Sequence, residues 1–191
     1  MQLAVLVSGS GTLLEAMLVA GVPVSLVVAD RPCRGLEIAA EHGVPSELVE
    51  RVEFGAEFDR GDYAQVMAQV LDAHNIDLVA MAGFGTVLGE AIFVAMPGRI
   101  INTHPALLPS FPGWHAVRDA LAAGVKVTGC TIHVATPVVD DGPILAQEAV
   151  AILDGDDEAS LHERIKAVER RLYVETLRDI AESGQLLGTP I

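Results

Sequence analysis

What most constrains the fold of this chain is the alternation of short apolar runs with segments of helical period. Leu3 to Val7, Val24 to Ala29 and Leu78 to Met81 are continuous apolar runs of strand length, as expected of strands covered on both faces. Between them Leu14, Met17 and Leu18, then Gly35 to His42, then Tyr63, Val66, Met67, Val70 and Leu71 read as helices. Strand, helix, strand in series predicts β-α-β units and a mostly parallel sheet flanked by helices, an α/β fold. Arg99 to Thr103 continues the series as a strand, and a helix is expected around Ala116 to Ala123. Val127 to Ala135 and Ile144 to Ala151 read as two strands around a turn. A last helix runs through Leu161, Ile165, Val168, Leu172 and Leu177, with acidic Asp156, Asp157 and Glu158 suited to its N-terminus.

The 191 residues fit one domain with a full core, and neither a repeat nor a linker interrupts them. With 51% hydrophobic and 20% charged residues the chain is not of disordered type. No apolar run reaches the roughly 18 residues of a membrane span, and Met1-Gln2 leads straight into the first strand without a basic leader. A cytoplasmic protein is expected. The net charge of −14 opposes a nucleic-acid partner but not a small anion held by main-chain amides at a helix start. With Lys126 and Lys166 the only lysines, such a site leans on amides and a few arginines. Cys33 and Cys130 have no C-x-x-C spacing and read as buried or semi-buried thiols, and the six histidines show no metal-binding spacing, so no metal site is expected.

Ser8-Gly9-Ser10-Gly11-Thr12 falls between the first strand and the first helix, where amides can cradle a phosphate. It lacks the Gly-Lys pair of a P-loop, and Leu14 stands where G-x-G-x-x-G needs its third glycine. Asp30 nevertheless ends the second strand, where a dinucleotide fold places its ribose-binding acid. A nicotinamide-dependent oxidoreductase, or a nucleotide sensor without catalysis, therefore stays open. So does a tight turn that binds nothing.

Three prolines between Pro105 and Pro112 exclude a helix or inner strand after His104, so an ordered loop follows the strand end, where α/β folds bind ligands. Asn102 and His104 flank Thr103 at that end, and a period of two turns both side chains to one side. A carboxamide and a protonated imidazole side by side suit a developing oxyanion. A nearby carboxylate would favour the imidazolium and raise its pKa, and Asp140, in Asp140-Asp141-Gly142-Pro143, offers one. Singly, these residues also read as a strand-end cap, a loop histidine and a turn aspartate. There is no G-x-S-x-G elbow, and neither cysteine neighbours a histidine. The set suits direct attack by a substrate amine on an acyl carbon.

Ile101-Asn102-Thr103-His104-Pro105-Ala106-Leu107-Leu108-Pro109, then Gly113, Gly129 to Val134, and Asp140-Asp141-Gly142-Pro143-Ile144 resemble the folate-dependent formyltransferases over nearly the whole chain. The resemblance implies a Rossmann-like formyltransferase fold and 10-formyltetrahydrofolate as co-substrate, with no metal. The glycine loop and single domain resemble members of purine biosynthesis that formylate glycinamide ribonucleotide. A member acting on methionyl-tRNA would add a C-terminal domain, and a deformylase an N-terminal one. Carried over, the resemblance gives Gly11, Thr12 and Leu13 to the ribose phosphate, and Lys166, Ala167, Val168 and Glu169 to the same substrate. It gives Arg60, Gly85, Thr86, Val87, Leu88, Asn102, Thr136, Pro137, Val138, Val139 and Asp140 to the folate. His104 is then the proton donor and Asp140 raises its pKa. Leu13 stands where many members carry Asn, and Gly85-Thr86 replace a common Met-Arg. Small-molecule substrates and a homodimer fit this reading, while a sugar-nucleotide N-formyltransferase and a formate-releasing hydrolase stay open beside it.

Overall fold

A computed structural model of the chain describes residues 1–52, 55, 58–186 and 189–191. Its main sheet has seven strands, β1 (Leu3–Val7), β2 (Val24–Ala29), β3 (Ser46–Leu48), β4 (Leu78–Met81), β5 (Ile100–His104), β6 (Val127–Val134) and β7 (Ile144–Ala151). They lie in the order β3-β2-β1-β4-β5-β6-β7. Neighbours from β3 to β5 pair parallel, while β6 pairs antiparallel with both β5 and β7. Among the described residues the helices, in chain order, are α1 (Thr12–Val19), α2 (Arg34–Glu41), α3 (Arg60–Ala73), α4 (Glu90–Ala95), α5 (Ala116–Ala122) and α6 (Glu158–Ser183). A small pair, β8 (Gln185–Leu186) and β9 (Thr189–Pro190), ends the chain.

The two-residue period of β1 explains why it is apolar throughout. Leu3, Val5 and Val7 join a core layer with Leu14 and Met17 of α1, Ile38 of α2 and Leu161, Ile165, Tyr173 and Leu177 of α6. Ala4 and Leu6 join the opposite layer, with Tyr63, Met67 and Leu71 of α3 and Ile92 of α4. Each fully buried Leu, Ile or Met side chain is worth about 1.5–3 kcal/mol of transfer free energy, so neither face tolerates a polar residue there.

The expected β-α-β series is present, and four elements were not read from the sequence. β3 is three exposed residues at a sheet edge, without an apolar signature. α4 is six residues long, too short to display a period, and β8 and β9 have two residues each. One boundary moves with consequence. β5 begins at Ile100 and includes His104, because antiparallel β6 extends the ladder to the pair His104↔Thr131. The chain reverses its direction of strand addition between β1 and β4, the switch point at which open α/β sheets form a ligand crevice.

Candidate active site

At the C-terminal end of β5, Asn102 and His104 stand on one side, as their spacing implies. His104 is buried, with Nδ1 3.3 Å from Oδ2 of Asp140 and Nε2 2.7 Å from the carbonyl oxygen of Phe111. Both ring nitrogens thus face acceptors. An imidazolium donates to both, whereas a neutral ring can donate to only one. Asp140 arrives from the turn between β6 and β7 with its side chain 6% exposed, and Oδ2 also accepts the Gly113 N–H at 2.7 Å. The turn is pressed against the end of β6: a Cβ on Gly142 would lie 1.7 Å from the Val134 carbonyl oxygen, and Val134 N–H donates to Pro143 O at 2.8 Å.

One member of the cluster has no role assigned from sequence. His133 pairs across the ladder with Asn102, and its Nε2 lies 3.4 Å from Asn102 Nδ2 and 3.7 Å from Asp140 Oδ1. Burial pushes the His133 pKa down, outweighing the bond to Val134 O and the charge of Asp140. Neutral His133 donates from Nδ1 to Val134 O at 3.1 Å, which leaves its Nε2 lone pair to accept from the Asn102 amide. The carboxamide is thereby oriented. Only the antiparallel register could have exposed this partnership, since 31 residues separate the two side chains.

The proline-rich loop is anchored on β6. Thr131 donates to Ala106 O at 2.6 Å and accepts from Leu108 N at 3.0 Å and Gln147 Nε2 at 2.9 Å. Leu107 packs where a Cβ on Gly129 would come within 2.6 Å of its Cδ2.

On the other face of the same strand end, Thr103 donates to Glu169 Oε1 at 3.0 Å. Burial pushes the Glu169 carboxyl above the ordinary carboxylate range, against the opposing effect of that bond. Of its helical neighbours, Lys166 pairs with Glu163 at 2.8 Å, Ala167 is exposed and Val168 packs on the core. The glycine loop leads into α1, which packs on α6. Gly11 has φ 69 and caps α1 with no side-chain bond to its amides, and an added Cβ would meet Gly35 Cα at 2.9 Å. Thr12 is exposed, but Leu13 is buried in the core, which leaves only main chain at 13 for a ligand.

The segment after β4 is tied inward. Gly85 N–H donates to Ser8 Oγ at 2.6 Å, and buried Thr86 donates to Asp30 Oδ2 at 2.7 Å. Asp30 is wholly buried, and Arg31 grips it with Nε at 3.0 Å and Nη2 at 3.1 Å. The carboxylate is thus committed inside the protein, which removes the support for a ribose-binding acid and a nicotinamide enzyme. Val87 is exposed and Leu88 buried. Arg60 is exposed at the start of α3, its carbonyl oxygen 2.4 Å from where a Cβ on Gly89 would sit. In the loop before Asp140, Thr136 donates to Val138 O at 2.9 Å, while Pro137, Val138 and Val139 face outward. A groove of about 480 Å³ between α4 and this loop, lined by Phe93, Ala135 and Pro137, passes beside the cluster without including Asn102, His104 or Asp140.

Burial pushes the Cys130 thiol up to about 12, which leaves it unreactive as a nucleophile. Among the described residues no group of three His, Cys, Asp or Glu side chains could hold a metal ion, and no helix is long and apolar enough to cross a membrane. A half-buried carboxamide beside a buried imidazole and a carboxylate, with no activated nucleophile among the described residues, can stabilise an oxyanion and move a proton.

Residues 1–177 match the family described as Formyl transferase. The chain is 50% identical over 188 residues to "Phosphoribosylglycinamide formyltransferase" of Mycobacterium tuberculosis, covering 96% of this chain and 86% of that protein. It is 34% identical to the protein of that name from Bacillus subtilis, covering 97% and 94%. Among solved structures, glycinamide ribonucleotide transformylase 1 from Symbiobacterium toebii superposes with a TM-score of 0.90 at 41% identity, over 98% of this chain and 90% of that one.

Proposed function

The chain belongs to the formyl transferase family, and from that premise we propose that it passes the formyl group of 10-formyltetrahydrofolate to the amine of glycinamide ribonucleotide. Relatives named for phosphoribosylglycinamide support that acceptor, as does a glycine loop whose helix-start amides carry no side-chain cap. The observation that carries the chemistry is His104, buried with an acceptor at each ring nitrogen, one of them the Asp140 carboxylate.

The acceptor amine attacks the formyl carbon and the carbonyl electron pair moves onto oxygen. Asn102 Nδ2–H and His104 Nδ1–H donate to that oxyanion, and the 3.3 Å separation from Asp140 leaves the His104 proton open to sharing. As the carbon–nitrogen bond to the folate breaks, the carbonyl re-forms, and the proton lost by the amine goes to the departing nitrogen. Asp140 stabilises the imidazolium throughout. No covalent enzyme intermediate forms, in keeping with the unreactive thiol of Cys130.

Gly11, Thr12 and the main chain of Leu13 bind the phosphate, and Lys166 to Glu169 the remainder of that substrate. Arg60, the segment Gly85 to Leu88, Asn102 and the loop Thr136 to Asp140 bind the folate. Because the Leu13 and Thr86 side chains are turned into the protein, their contributions are made by main chain.

The test is folate absorbance in the presence and absence of glycinamide ribonucleotide, on the wild type and on His104→Ala, Asn102→Ala and Asp140→Ala. Turnover that requires the amine and is lost in the variants supports the proposal. Turnover without the amine would indicate hydrolysis, and normal rates in all three variants would sink the assignment of these residues.

A further inference from the structure

Two loops expected to serve different substrates meet at one buried carboxylate. Ser8 closes β1 and begins the glycine loop, Asp30 closes β2, and Gly85 and Thr86 follow β4, so all three loops lie at neighbouring strand ends around the switch point. Gly85 N–H donates to Ser8 Oγ at 2.6 Å and Thr86 Oγ1 donates to Asp30 Oδ2 at 2.7 Å. Arg31 closes the far side of the carboxylate through Nε and Nη2. Burial alone would push the Asp30 carboxyl up, but hydrogen bonds from Arg31, Thr86 and Ser8 outweigh it and hold the group below its usual range. A wholly buried carboxylate holds its donors tightly, because each lost donor leaves an unsatisfied lone pair away from water.

The Ser8 side chain is therefore spent on the loop of Gly85, and that of Thr86 reaches the glycine loop through Asp30, the carboxylate that also takes the Ser8 hydroxyl. Thr86 stands where the resemblance leads one to expect a long cation, and instead of reaching outward the residue is 1% exposed with its hydroxyl turned to Asp30. We infer that Ser8, Asp30 and Thr86 are positioning residues which hold the nucleotide loop and the folate loop in one fixed relation, so that each loop's affinity for its substrate depends on a side chain of the other. This rests on the proposed function, since it takes the loop at 8–12 to bind the nucleotide and that at 85–88 to bind the folate. The physical basis is preorganisation. A loop held in its binding geometry does not lose that ordering free energy when its ligand arrives.

The test is steady-state kinetics with both substrates varied, on the wild type, Ser8→Ala, Thr86→Val, Thr86→Ser and the double variant Ser8→Ala/Thr86→Val. Thr86→Val is expected to raise the KM for glycinamide ribonucleotide, and Ser8→Ala the KM for 10-formyltetrahydrofolate, each by about fivefold or more and by more than it lowers kcat. Thr86→Ser keeps the hydroxyl and restores the wild-type values. The double variant shows less than the product of the single effects, because the two bonds hold the same pair of loops together. If Thr86→Val does not fold, Ser8→Ala, which removes a single oxygen, carries the test. Variants that change only the KM of their own loop's substrate, or that lower thermal stability with both KM values unmoved, overturn the inference while the proposed function stands. A wild type that turns over neither substrate overturns the proposed function, and the tie with it.

Discussion

Asp140 Oδ2 lies 3.3 Å from His104 Nδ1 and accepts the Gly113 N–H at 2.7 Å, so one carboxylate oxygen serves both the imidazole and the loop that carries its other partner, Phe111. Asp140 and Phe111 both hold left-handed backbone, φ 58 and φ 54, a conformation costly for residues other than glycine. Two of the three described non-glycine residues with positive φ, the third being Asn75, thus flank one histidine, and strain of this kind is associated with functional sites. Asp140→Asn keeps the size of the side chain and removes its charge. The expected result is a fall in kcat for formyl transfer of about 10²–10³, the range seen when one stabilising group is lost from an oxyanion site. An unchanged kcat in stopped or continuous folate assays would contradict the role given to Asp140.

His133 titrates against the fold. Its pKa is pushed down from 6.5 by burial, so the unfolded chain binds the proton more readily than the folded one. The stability contributed by neutral His133 is present above about pH 6.5 and is lost as pH falls through the depressed value. Denaturant titrations of the wild type and His133→Gln between neutral pH and pH 5 are expected to show a steeper loss for the wild type. Parallel slopes would mean that folding leaves the His133 pKa unshifted.

Glu169 has the opposite sign. Its carboxyl is raised above 4.5 by burial, so the folded chain binds that proton more readily. The corresponding stability is complete below pH 4.5 and declines as pH rises through the raised value. Glu169→Gln keeps an acceptor for Thr103 and removes the ionisation. Its stability relative to the wild type is therefore expected to increase from pH 4.5 upward, as read by chemical denaturation without ligand.

Gly142 is fixed by contact and not by dihedral angle. A Cβ there would lie 1.7 Å from the Val134 carbonyl oxygen and 2.8 Å from the Val134 carbonyl carbon. Gly142→Ala must displace the turn, at a cost of about 3 kcal/mol, and move Asp140 with it. Gly98→Ala, where nothing lies within 4 Å but φ is 69, is the comparison, and a milder loss is expected. Calorimetric melting that fails to separate the two would overturn this account.

The central strands were legible because burial on both faces writes an unbroken apolar run. β2 and β4 have the bounds expected of them, and so does β1, whose alternate side chains feed two core layers; the largely exposed edge strand β7 also has its expected bounds, marked by the turn before it. The same-side placement of Asn102 and His104 followed from strand period, and Asp140 was recognisable from its turn. β3 and α4 escaped notice because an exposed edge and a six-residue helix leave no periodic trace.

By itself, then, the sequence determined what local chemistry controls: the β-α-β series, the proline-broken loop after His104 and the residue types able to meet an oxyanion. Tertiary structure alone decided which groups touch. It set His133 against Asn102 across 31 residues, turned Glu169 to the far face of Thr103, and closed Asp30 off with Arg31 and Thr86 instead of leaving it for a ribose. The reason is physical. Period and propensity act over a few neighbouring residues, whereas antiparallel register and the burial of a charge depend on strands brought together from distant parts of the chain.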